Sequence, residues 1–351
     1  PSGLDRGKGF WSMEELRRGA GPFFRAFCVT LALMGVVLSA TLLLSRGQPA
    51  QQQVNQNMTV YIPEEQDRMN LLATISETEG SVPQVFVLYG FLPDRGQLAL
   101  SLLPPKTVLH YWGTTLTLEE AWQRGGTAYC AKVAAGGLGI TIDHTAELDA
   151  KGLEGIMDEV GLMDYDLPVS LDYPMGDRQV VMSKGNQQLD GRKIADILFY
   201  PAYEGGEQER SDRGVMLLCQ LMSRLLPSVL EERGDRLVTA FLNNARTDLS
   251  FPDYEYSKQA AKFLARQDPT PVTAVYVEGR LSKDYQQFYL TEGCALRLCQ
   301  MFGGGELPLG ASVFSPGQEM GFGEETPYSC RSNPVITADG PPRYAARFRD
   351  R

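Results

Sequence analysis

Apolar positions in this chain fall into one long run and many short ones. The long run, AFCVTLALMGVVLSATLLLS at residues 26–45, is twenty uncharged, mostly apolar residues. That length matches a single helical membrane span. Arg17, Arg18 and Arg25 precede it and only Arg46 follows closely, so residues 1–25 are expected to stay cytoplasmic. A cleavable signal is the rival reading, but the apolar run exceeds the usual signal core of about 7–15 residues. Residues 46–66, with GQPAQQQVNQNM at their start, are Gln/Asn-rich and carry no apolar period, which predicts a flexible tether.

Beyond the tether the runs shorten to strand and helix lengths. Asn70–Ile75 and QVFVLYGFL at 84–92 read as strands, and Pro93-Asp94-Arg95-Gly96 is turn chemistry before QLALSLLP. A β-hairpin facing the core is the prediction. Thr117-Leu118-Glu119-Glu120 has capping-box spacing, and Gly125-Gly126 is expected to stop the helix that it starts. Thr127–Ala135 reads as a second helix ending at Gly136-Gly137. Leu153, Ile156, Met157 and Val160 repeat at helical spacing, and residues 215–230 form another amphipathic stretch. VTAVYVEG at 272–279 reads as a late buried strand, followed by a helix at 293–302. Strands interleaved with helices predict a mixed, layered α/β/α domain with a central sheet flanked by helices. From 303 to 351 Gly and Pro are dense and periodicity is absent, so a disordered tail is expected. The domain itself is placed at residues 67–302.

Charge changes the picture in one respect. The whole chain carries −10, an acidic balance that argues against a nucleic-acid partner. Residues up to Arg46 carry six basic and three acidic side chains, or +3, leaving −13 for the part placed outside the membrane. Five of the six cysteines follow Arg46: Cys130, Cys219, Cys294, Cys299 and Cys330. Their spacings match no metal framework, and they read as core thiols.

Candidate chemistry is sparse. Neither His110 nor His144 sits in a catalytic or zinc motif, and His144 reads as a structural histidine following a strand end. No G-x-x-x-x-G-K-[ST] run is present. What stands out is EGGEQERSDRG at 204–214, which places Arg210 and Arg213 before an apolar helix. With that helix starting near Ser211, both arginines would lie in its first turn, where a lone cation is unfavourable. They either hold an anion at the helix N-terminus or pair with Glu207, Glu209 and Asp212 as surface charges.

The order of segments resembles the LytR-CpsA-Psr family of bacterial envelope proteins. The resemblance runs through TLEEAWQRGGTAYCAKVAAGGLGITIDHTAELDAKGLEGIMDEVGLMDYDLPVSLDY at 117–173, QQLDGRKIADILFY at 187–200 and NNARTDLSF at 243–251, and covers about residues 67–302. It implies a membrane-anchored domain outside the cytoplasmic membrane of a Gram-positive-type bacterium. It further implies transfer of a phosphate-linked glycopolymer from polyprenyl pyrophosphate to the cell wall, with arginines on the pyrophosphate and aspartates helping to hold Mg2+. Carried over by position, Arg210 and Arg213 match the family's D-x-G-R-x-x-R-Q run, whose glutamine becomes Gly214. Glu77 falls on the first-strand aspartate and Gln84 on the second. Lys106 stands in S-I-P-R-D-T, which here reads Leu102 to Thr107 and has lost its arginine and aspartate. The family's R-x-R falls among the neutral residues Phe199 to Tyr203. The resemblance therefore assigns Arg210 and Arg213 as catalytic-type arginines, with Lys106 and Glu77 as ligand-binding positions. With so many charges lost, it implies a non-catalytic or weakly active relative that binds a polyprenyl-phosphate lipid or wall glycopolymer. An active transferase, which would need Mg2+, and an envelope signalling protein acting through partners are the alternatives.

Overall fold

The computed structural model describes residues 61–303 except Thr270, together with 305–308, 310–311, 313–314 and 335–336. The described residues belong to one unit that begins at Tyr61. The expected span at 26–45, the cytoplasmic stretch and most of the tether lie outside them, as do Cys28 and Cys330. Among the described residues no helix is long and apolar enough to cross a membrane.

The predicted hairpin forms the middle of a seven-stranded sheet. Strand β1 (Met69–Ser76) pairs antiparallel with β2 (Val85–Leu92), and β2 with β3 (Gln97–Leu103). The link between β2 and β3 is a 3-10 turn over Pro93–Arg95, closed by Gly96 in the left-handed conformation (φ 62°). A small hairpin, β4 (Val108–Tyr111) and β5 (Thr114–Thr117), leads into helix α1 (Leu118–Leu138). The Thr117–Glu120 capping box is present, and the backbone leaves the helix at Gly125 (φ −168°, ψ 27°) and Gly126 (φ 65°, ψ −167°), so α1 is two helical segments broken at the expected glycine pair, the second running through Gly136-Gly137 to Leu138. Strand β6 (His144–Asp149) returns parallel to β1. His144 therefore opens a strand instead of following one: the ITID segment before it forms no strand and makes only an isolated bridge between Ile140 and Gly303, outside the sheet.

Helix α2 (Ala150–Val160) precedes two hairpins that periodicity left unassigned: β7 (Met163–Leu167) pairs with β10 (Gly185–Leu189), and β8 (Leu171–Met175) with β9 (Arg178–Met182). Helix α3 (Gly191–Phe199) follows, capped by the Asp190 carboxylate. Gly191 is required by contact: a Cβ there would stand 2.5 Å from the Glu154 Cα of α2. Helix α4 (Gly206–Leu225) runs into a 3-10 turn over Leu226–Leu230. Helix α5 (Glu232–Asn244), the two-residue β11 (Arg246–Thr247) and helix α6 (Phe251–Ala265) come next. Strand β12 covers only Val272–Ala274 of the expected strand, pairing parallel with β3, although Val275, Tyr276 and Val277 remain fully buried. A second small sheet contains β13 (Gly279–Leu281) and β14 (Phe288–Thr291), and helix α7 (Glu292–Phe302) follows.

The tail contributes two short strands where no element is expected. Strand β15 (Val313–Phe314) pairs with β14, and β16 (Val335–Ile336) with β12. The central sheet reads β11-β6-β1-β2-β3-β12-β16.

The layering follows from a period of two. Val85, Val87 and Phe91 of β2 join one core cluster, together with side chains of α2, α3, α4 and α6. Phe86, Leu88 and Leu92 join the other, with α1 and α7. A strand buried on both faces reads as an unbroken apolar run, which is why QVFVLYGFL lacks polar alternation. The result is a helix–sheet–helix sandwich.

Candidate site at the mouth of the sheet

Helices α1 and α4 begin at the same end of the sheet, one from each layer. Between them, Val82, Pro83, Gln84, Pro105, Lys106, Glu119, Glu207 and Arg210 line a cleft of about 340 Å3. Val82 to Gln84 lead into β2, while Pro105 and Lys106 leave β3. Glu119 is in the first turn of α1 and Glu207 in that of α4.

Arg210 and Lys106 thus share one cleft, yet both are tied down within the protein. The Arg210 guanidinium donates from Nη2 to the Gln84 carbonyl and lies 3.5 Å from Glu207 Oε1. Lys106 Nζ donates to the Tyr285 carbonyl at 2.7 Å. The cleft carries two cations and two carboxylates, so its lining is electrically balanced. The N-terminal amides of α1 are also occupied. Leu118 N–H donates to Thr107 O at 3.1 Å, Glu119 N–H to Pro105 O at 2.9 Å, and Glu120 N–H to Thr117 Oγ1 at 3.1 Å. A helix N-terminus attracts anions through such amides, and these already have partners.

Arg213 is not among the cleft's lining residues. Its Nη2 stands 2.5 Å from Glu209 Oε1, with the side chains only 5% and 7% exposed. The Tyr203 ring covers it, with the guanidinium carbon 5.3 Å from the ring centroid. Tyr203 in turn meets Tyr200 edge-on at 4.7 Å, and Tyr200 meets Tyr173 at 5.4 Å. The stretch aligned with the family's R-x-R has therefore become an aromatic ladder that ends on Arg213. Burial raises the Tyr203 hydroxyl above its ordinary range and pushes Tyr165 up to about 12, so both stay neutral beside the arginine. Helix α4 starts at Gly206, five residues earlier than expected. Neither arginine lies in its first turn; Glu207 and Glu209 do, and acids suit the positive end of the helix dipole.

Glu77 sits apart from this cleft, half-buried against Gly176 and in the field of Arg178 and Tyr173. There the Arg178 guanidinium grips the Asp196 carboxylate with two donors, and Tyr173 donates its hydroxyl to the Asp196 carbonyl at 2.6 Å. Sequence reasoning missed this cluster, although Gly176-Asp177 between two alternating segments is a hairpin signal. Among the described residues no three His, Cys, Asp or Glu side chains gather to hold a metal, and Gln84 offers a neutral amide where an anionic ligand would be needed.

Residues 107–292 match the model of the LytR_cpsA_psr family, more than half of the chain. The chain belongs to this family. Its sequence is 23% identical, over 141 residues, to the polyisoprenyl-teichoic acid–peptidoglycan teichoic acid transferase TagV of Bacillus subtilis (strain 168). The aligned stretch is 39% of this chain and 36% of TagV. The solved structure of B. subtilis TagV superposes with a TM-score of 0.53 at 17% identity, covering 67% of this chain and 97% of that one. A LytR-Csp2A-Psr enzyme from Actinomyces oris gives 0.56 at 15% identity, covering 68% and 91%. These likenesses establish the LytR-CpsA-Psr fold, a central sheet between helical layers, as the resemblance implied.

Proposed function

We propose that this member of the LytR-CpsA-Psr family serves cell-envelope assembly by binding, not by transfer. Its partners are a polyprenyl-phosphate lipid or a wall glycopolymer. The reading rests on one observation: Arg213 is neutralised by Glu209 and roofed by Tyr203, away from the cleft where Arg210 and Lys106 stand. Phosphoryl transfer depends on fixed cations facing developing charge. A balanced cleft with one arginine committed to a backbone carbonyl offers little of that. TagV, a named teichoic acid transferase, supports an envelope role for its relative. The apolar run at 26–45 and its basic flank support anchoring in the cytoplasmic membrane with the domain outside. The test is transfer itself. The full chain, given a synthetic polyprenyl-pyrophosphoryl glycan, a peptidoglycan acceptor and Mg2+, is expected to release no lipid phosphate. Magnesium-dependent transfer would sink the reading.

The shared cleft favours one rival, an active transferase with a rearranged site built on Arg210 and Lys106. Under that reading Arg210→Ala and Lys106→Ala each abolish transfer.

A further inference from the structure

We propose that the β4–β5 hairpin is a membrane finger, with the Trp112 ring seated at the headgroup–acyl boundary of a phospholipid bilayer. The inference draws on the anchored reading above and names the face that the domain turns to the membrane. Trp112 is 89% exposed, the highest value among the large apolar side chains exposed in the described residues. A Trp ring combines a broad apolar body with one N–H donor, and for that reason it concentrates where lipid meets water.

The turn holds the ring out against the preference of its own backbone. Tyr111 pairs with Thr114, so Trp112 and Gly113 alone form the loop, with φ 50° and 75°. Two-residue loops with both φ positive favour Asn-Gly or Asp-Gly, because this region strains a bulky residue. The strand before the tip is pinned. The Tyr111 ring meets Tyr129 edge-on at 6.3 Å, and a Cβ at Gly136 would stand 2.5 Å from it, so Tyr111 sits tight against α1. The Trp112 ring centroid is 6.2 Å from that of Tyr111 and is left to solvent. Strain that the surroundings over-determine marks a residue kept for a task.

Charge separates this tip from the other exposed apolar residues. Residues 107–118, TVLHYWGTTLTL, contain no Asp, Glu, Lys or Arg in a chain that is 22% charged. Each of the other seven exposed large apolar residues lies within two positions of an acid, as Ile62 does of Glu64 and Tyr256 of Glu255, or faces one across a hairpin, as Val181 does Asp172. A charge carried into the boundary loses hydration, and an acid is also repelled by anionic headgroups. Exposed Lys132 shares a helix face with Tyr129 and Gly136, where Tyr111 packs, and its sign suits anionic lipid. Residues 46–60 join the apolar run to Tyr61 and can reach about 50 Å at full extension. A domain of this size is about 45 Å across, so that join lets any face meet the bilayer and surface chemistry selects one.

The experiment reconstitutes the full chain in vesicles of equal parts phosphatidylglycerol and phosphatidylethanolamine, with Trp11→Phe and Trp122→Phe leaving Trp112 as the emitter. Lipids brominated near the headgroup end of the acyl chain are expected to quench its emission more than lipids brominated near the chain terminus. Thr114→Asp, which puts a charge at an exposed position beside the ring, should remove most of that quenching while circular dichroism stays unchanged. Moving the emitter to α6, by adding Trp112→Phe and Tyr256→Trp, should abolish it. Equal quenching at both positions, or none at Trp112, would overturn the proposal. So would shielding of Trp112 from acrylamide without quenching by bromolipid, since a protein partner would then cover the ring. Extraction of the chain by alkaline carbonate, with Trp112 quenched before the wash, would overturn the anchored reading and leave this inference standing.

Discussion

Arg213 and Glu209 form a buried pair one helical turn apart on α4, with Arg213 Nε and Nη2 each 2.5 Å from Glu209 Oε1. The glutamate's second oxygen accepts the Gly205 amide at 2.7 Å, so the same carboxylate fastens the start of the helix. A glutamate preceding its arginine by four residues also suits the helix dipole. Removing the cation leaves that carboxylate buried and uncompensated. Arg213→Ala is therefore expected to cost about 3–5 kcal/mol in urea unfolding, and Arg213→Met with Glu209→Leu should recover most of it. A loss below about 1 kcal/mol would show that Arg213 is not a structural cation.

Gly214 stands where the family carries glutamine, and the fold explains why it cannot simply be restored. A Cβ at Gly214 would sit 2.7 Å from Leu102 Cδ1 and 3.2 Å from Leu198 Cδ2, because α4 lies close against β3 and α3 there. Gly214→Gln is expected to lower stability by about 1–3 kcal/mol through overpacking. Thermal unfolding would check it, and an unchanged midpoint would mean that the helix can shift away from the sheet.

The hairpin, the capping box and the amphipathic α2 were legible because each is fixed by neighbours in sequence. The start of α4 was not. Gln208, Glu209, Ser211 and Asp212 are all buried, so a segment that reads as a polar loop is the packed first half of a helix. Polar residues at buried positions break the binary pattern on which helix limits are read. The hairpins β7–β10 and β8–β9 do alternate faithfully, as in MDYDL and LDYPM, but each has only five residues and joins no part of the central sheet. The cleft depended on what no local pattern contains. Lys106 and Arg210 are brought together by β3 and α4, and only their packing shows that Arg213 faces elsewhere.

The described cysteines are all free and buried, which agrees with the expected core thiols. Burial pushes the Cys294 thiol up to about 11 and Cys130 up to about 12, and raises Cys219 as well. Since the thiolate is the reactive form, iodoacetamide at pH 8 should leave these three unlabelled in the native chain and label them after denaturation. Peptide mass spectrometry reads each site separately. Native labelling of Cys294 would mean that α7 opens more readily than its packing implies.

Arg68 and Asp94 hold the turn between β2 and β3 to the start of β1, with Arg68 Nε 2.8 Å from Asp94 Oδ1 and Nη2 2.5 Å from Oδ2. The hydrogen-bonded guanidinium keeps the Asp94 carboxyl below its ordinary range. An unfolded aspartate titrates near about 3.9, so the unfolded chain takes up this proton at a higher pH than the folded one. The pair's stabilisation is then complete above that value and disappears as pH falls through the lower folded value. Both side chains are partly exposed, 25% and 16%, so water screens the pair and about 1–2 kcal/mol is expected at pH 7. Asp94→Asn should be less stable than the parent by that amount at pH 7, and the gap should narrow as pH falls below the unfolded value and the carboxylate takes up its proton. Urea titrations at several pH values from pH 7 downward measure the gap directly. A difference that persists undiminished at the acidic end would show that Asp94 acts through packing and not through its charge.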